Sequence, residues 1–132
     1  MNTFLLSAGA LVLLYAVLST NVSLVRLRKR KSPGVTEAQL TKAIRAHGNA
    51  SEYIPLLVAI FLYLHSIQAS AFLAVVAVVA TLSRVLHAAG MFLIPNVTER
   101  HPLRFIGAAG TYVCLFIFGV ALLSLALSTP SL

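Results

Sequence analysis

Polar side chains recur at helical spacing inside a chain that is otherwise almost wholly apolar. Arg45, Asn49 and Glu52 stand at i, i+4 and i+7, a spacing that puts them on one stripe of an α-helix. Arg84, His87 and Met91 repeat the pattern at i, i+3 and i+7, and Arg104 follows further on. These residue types define a recognisable chemistry. A guanidinium grips a carboxylate with two parallel hydrogen bonds, and a carboxylate takes up an ammonium. Arg45 and Glu52 lie about 10 Å apart along a helix rising 1.5 Å per residue, too far for an easy direct pair. Their partners are therefore expected on other helices or on a ligand. Glu52 is the carboxylate placed to neutralise Arg84, and the plain alternative is an ion pair that only locks two helices together. Such a pair leaves Arg45, Asn49, His87 and Arg104 unexplained. Together the polar groups read as a pocket for a polar, anionic ligand.

The elements that must carry these residues follow from hydropathy. Of the 132 residues, 59% are hydrophobic and 10% charged, far below the usual quarter for a soluble domain. Lipid must cover what polar groups cannot. The reading is an all-α, integral membrane four-helix bundle, a single domain over residues 1–132. Residues 3–25 are uncharged and long enough to cross about 30 Å of hydrocarbon. A basic cluster follows them, as in a retained span and unlike a signal peptide. Ser32-Pro33-Gly34 signals a turn. Thr36 and Gln39 have the spacing of a capping box at the start of the second helix, which runs past Pro55 to about residue 64. His65-Ser66-Ile67-Gln68 breaks the long uncharged stretch in two. The third helix is expected over 69–94 and stops at Pro95-Asn96. The fourth is expected over 102–127, with Pro102 in its first turn.

Basic residues near helix ends set the orientation. Arg26, Arg28, Lys29, Arg30, Lys31 and Lys42 mark the first loop, and Arg100 and Arg104 mark the third. The second loop has neither Lys nor Arg. Loops one and three are therefore placed on the cytoplasmic side and both termini on the other. The net charge of +7 then serves topology and contact with anionic headgroups of the bilayer. No nucleic-acid motif accompanies it. The lone Cys114 excludes an intrachain disulfide. No Cys/His cluster suggests a metal: His65 and His101 fall at opposite faces of the membrane.

The segment Arg45-Ala46-His47-Gly48-Asn49-Ala50-Ser51-Glu52-Tyr53-Ile54-Pro55 resembles the second-helix signature of the MAPEG family, the membrane-associated proteins in eicosanoid and glutathione metabolism. Val25-Arg26-Leu27-Arg28-Lys29, Arg84-Val85-Leu86-His87 and Pro102-Leu103-Arg104 are similar to stretches of helices one, three and four in its prostaglandin synthase branch. The resemblance covers nearly the whole chain and suggests a small bacterial-type member, hence a multi-pass protein of a bacterial inner membrane. It implies a homotrimer with a glutathione site at each subunit interface, open toward the cytoplasmic leaflet. It implies glutathione contacts from Arg26, Arg45, Asn49, Glu52, Tyr53 and His87, and the polar His47 and Arg84 on the same two helices are read as further contacts. Arg104 or Arg26 would supply the charge that favours the thiolate, since a thiol of pKa about 8.5 is a weak nucleophile until ionised. The second substrate would be a small hydrophobic electrophile arriving through lipid. The sequence also departs from the family. Met91 stands where several enzymatic members carry a tyrosine, and Gly48 replaces a larger polar residue.

Three functions compete. The first is a glutathione transferase or peroxidase acting on lipophilic electrophiles. The second is a non-catalytic member that keeps the site for binding or assembly. The third is a small multidrug-type transporter using Glu52 as its proton site. The arginines make the third cavity unsuited to organic cations, and few aromatics are present to stack on them.

Overall fold

Four helices account for nearly all of the structure, a computed structural model that describes residues 2–32, 34–94 and 101–128. They are α1 (Thr3–Lys31), α2 (Glu37–Ser66), α3 (Ala71–Leu93) and α4 (Pro102–Ser128). Each boundary has a local cause. Asn2 caps α1 by accepting from the Leu5 amide. Thr36 and Gln39 close a reciprocal capping box at α2, as the spacing predicts. Ser70 caps α3 by accepting from the Leu73 amide. α2 ends at Ser66, within the expected polar break. The expected stop at Pro95-Asn96, the following loop and Arg100 lie outside the described residues.

The first helix differs from the sequence expectation, because it continues past residue 25 through the basic cluster to Lys31. Hydropathy marks where hydrocarbon ends, whereas helix continuation depends on propensity. Arg and Lys are good helix formers, and cations in the last turn sit well with the helix dipole. Lys29 also forms an ion pair with Glu37 at the start of α2, which fixes the α1–α2 turn from outside.

α1, α3 and α4 are long and apolar enough to cross a membrane. α2 carries Lys42, Arg45 and Glu52 in its first half and its apolar run after them. The helix runs unbroken through Pro55, where the missing amide leaves the Ser51 carbonyl without its usual donor. Large apolar side chains such as Leu13, Phe105 and Phe116 face outward, at 68%, 76% and 78% exposure. Such an apolar exterior is the surface of a protein solvated by lipid.

The most extensive contacts join α1 to α2 and α3 to α4, and α3 also packs on α1 and α2. Leu11, Leu57, Phe61, Leu64 and Phe118 fill the centre, with Phe61 and Phe118 meeting edge to face at 5.7 Å. The buried hydroxyls of Thr81 and Thr111 donate to the Ala77 and Gly107 carbonyls at 2.9 and 2.7 Å, so neither is left unsatisfied. Asn2 donates to His65 Nδ1 at 2.8 Å and ties the far ends of α1 and α2 together.

The α3–α4 crossing depends on small residues. A Cβ on Gly107 would sit 2.5 Å from the His87 nitrogen and the Ser83 carbonyl oxygen. One on Gly90 would sit 2.6 Å from the Arg104 nitrogen. Both neighbours are backbone and cannot swing aside. Gly107→Val is therefore expected to destabilise the protein by about 2–3 kcal/mol through forced helix separation. Thermal unfolding in detergent checks this, and an unchanged melting temperature would contradict the close crossing.

Candidate functional site

The crossing leaves α2 and α4 in contact at one level and apart at another. Deep in the bundle they meet through Phe61 and Phe118, and nearer the polar end through the Tyr53 and Tyr112 hydroxyls, 3.4 Å apart. Beyond that pair the helices leave a crevice of about 1420 Å³, floored by α3. It exceeds the roughly 300–1,000 Å³ of ordinary small-molecule pockets because one side is open.

Its walls carry the residues that sequence singled out. α2 contributes Arg45, Gly48, Asn49 and Glu52, α3 contributes His87 and Met91, and α4 contributes Arg104. The i, i+4, i+7 stripe of α2 thus faces α4 rather than α1. Arg45 and Glu52 are exposed to the opening, and Asn49 is half-buried. Gly48 presents no side chain, which widens the mouth between Arg45 and Asn49.

His87 is buried, with Nδ1 2.9 Å from the Arg104 carbonyl oxygen. A carbonyl can only accept, so Nδ1 bears the hydrogen, and Nε2 is an acceptor whenever the ring is neutral. The same bond anchors the backbone of the first turn of α4 against α3.

Tyr53 and Arg84 stand behind the wall. The Arg84 guanidinium lies 4.9 Å from the centroid of the Tyr53 ring and donates to Asn49 Oδ1. The expected Arg84–Glu52 pair is not formed. Lys29–Glu37 is the ion pair found among the described residues. Glu52 follows Asn49 by three residues on the same stripe, but it turns outward to the crevice while Asn49 meets the guanidinium.

Two sequence candidates lie elsewhere. His47 is on the α1 side of its helix, with its ring 5.0 Å from that of Tyr15, and it does not line the crevice. Arg26 is exposed on α1, and it too is absent from the lining. Among the lining residues that sequence reasoning passed over as ligand contacts are His101, Phe105 and Tyr112. Tyr112 could have been found, since Arg104, Ala108 and Tyr112 repeat at i, i+4 and i+8. His101 offered no periodicity, because it precedes α4 and accepts from the Leu103 amide at 3.3 Å.

The lining sets the guanidinium groups of Arg45 and Arg104 and the carboxylate of Glu52 beside the aromatic rings of Phe105 and Tyr112, a mixture able to meet a ligand that carries both charged and apolar parts. A second groove of about 450 Å³ lies between α3 and α4. Phe72, Leu73, Phe116 and Val120 wall it, and Ser70 is its polar member, so it offers apolar contact and little chemistry.

Fold and crevice define a helical membrane protein with a charged site opening at one end of the bundle. A family model described as the MAPEG family matches residues 4–124, so the chain belongs to that family. Membership places it in membrane-associated eicosanoid and glutathione metabolism in the general sense. No curated protein and no solved structure matches the chain.

Proposed function

We propose that this protein is a glutathione-dependent transferase or peroxidase acting on small lipophilic electrophiles. The observation that carries the reading is the convergence of Arg45, Asn49, Glu52, His87 and Arg104, from three helices, on one crevice whose α4 wall continues into Phe105 and Tyr112. Arg45 binds a carboxylate of the tripeptide and Glu52 its ammonium. Bound glutathione supplies a nucleophilic thiol. Arg104 sets a positive charge in the crevice that favours the thiolate without a separate base. Apolar electrophiles reach the site from the lipid face of α4. All four helices cross the membrane, both termini lie on the non-cytoplasmic side, and the crevice opens to the cytoplasmic leaflet. That membrane is taken to be a bacterial inner membrane. The assembly is a homotrimer, in which Arg26 is free to meet the crevice of a neighbouring subunit.

Isothermal titration in detergent micelles tests the reading, with millimolar glutathione expected to bind. Glu52→Gln keeps the shape and removes the charge, so affinity should fall by about tenfold, the scale of one charge-assisted hydrogen bond. Wild-type protein that gives no heat with glutathione would end the enzyme reading. Tight binding with no turnover of any lipophilic electrophile would leave a binding protein.

A further inference from the structure

Arg84 is the most deeply buried charged side chain among the described residues, at 2% exposure. It does not line the crevice. Its guanidinium touches the Tyr53 ring and Asn49 Oδ1, while Nε has no hydrogen-bond partner. A cation kept in an apolar bundle without a carboxylate is costly. Its position calls for a role other than holding helices together.

The bond to Asn49 supplies that role. An arginine has only donors, so it meets an amide side chain at the oxygen and never at the nitrogen. An isolated asparagine can turn its amide over at little cost and offer either end. Beside Arg84 it cannot: Oδ1 is taken, and Nδ2 is left for the crevice that Asn49 lines. We propose that Arg84 is a positioning residue that locks the Asn49 amide so that its N–H groups, and not its carbonyl, are offered to the ligand. At that level the crevice accepts a carboxylate or peptide carbonyl and disfavours a donor. The lock stands on geometry, and only the ligand's identity rests on the glutathione reading.

A double-mutant cycle separates this role from simple packing. Arg84→Leu, Asn49→Ala and the double variant are compared for glutathione affinity by titration. Each single change should weaken binding by about tenfold, and the double should bind no more weakly than Asn49→Ala alone, because Arg84 acts through Asn49. Losses that multiply would overturn the proposal.

Asn49→Asp guards against misfolding and against a wrong ligand. It keeps the shape and gives Arg84 the carboxylate it lacks, while presenting only acceptors to the crevice. Its melting temperature without ligand should rise by a few degrees, and glutathione binding should be lost at concentrations that saturate the wild type. A lower melting temperature would overturn the Arg84–Asn49 lock whether or not glutathione is the ligand. Failure of the wild type to bind glutathione would refute the proposed function and leave the melting comparison to judge the lock.

Discussion

Replacing Arg104 by methionine is expected to lower kcat by about 100-fold while changing glutathione affinity by no more than a few-fold. The two readouts separate because the arginine's charge matters most when the sulfur is anionic. Arg104 stands in the crevice wall at the start of α4, and its carbonyl is held by His87 Nδ1 at 2.9 Å. Gly90 lets its backbone approach α3 closely. A positive charge already standing in the crevice wall needs less reorganisation than solvent as charge develops on the sulfur. Methionine keeps the length and removes the charge. Turnover of an activated aryl halide gives kcat, and the ultraviolet absorbance of the thiolate reports ionisation directly. Both should fall together. Full turnover with an undiminished thiolate signal would remove Arg104 from the chemistry and point to Arg26.

Reversing the charge at Arg45 is the second large effect. Arg45→Glu is expected to weaken glutathione binding by about 100-fold, because a carboxylate would then face a carboxylate beside Glu52. The fold should be spared, since Arg45 is exposed at the crevice mouth. An unchanged melting temperature with lost binding identifies the residue as a ligand contact. Glutathione methylated at both carboxylates should bind wild type and variant with similar, weak affinity. Equal discrimination by both proteins would mean that Arg45 recognises neither carboxylate.

What could be read from sequence was whatever is decided locally. Thr36 and Gln39 form a capping box because both partners lie within one turn, so spacing alone suffices. The break at 65–68 was legible for a similar reason: polar residues interrupt an uncharged run longer than one span. The α2 stripe was legible too, since helical period puts Arg45, Asn49 and Glu52 on one face. Which member of a stripe meets which residue of another helix was not. That depends on the crossing of α3 with its neighbours and on the depth at which Arg84 enters. Charge logic therefore paired Arg84 with Glu52, whereas the packing delivered Asn49. His47 lies outside the crevice lining for a rotational reason. It lies two residues from either Arg45 or Asn49, enough to turn it toward Tyr15 on α1. The end of α1 was missed because hydropathy reports on lipid and not on helix propensity.

The most direct test is a structure determined in the presence of saturating glutathione. The account predicts density for the tripeptide in the crevice between α2 and α4, with a carboxylate on Arg45, an acceptor on the Asn49 amide and the ammonium on Glu52. A crevice filled by neighbouring side chains, or glutathione bound away from α2, would contradict it.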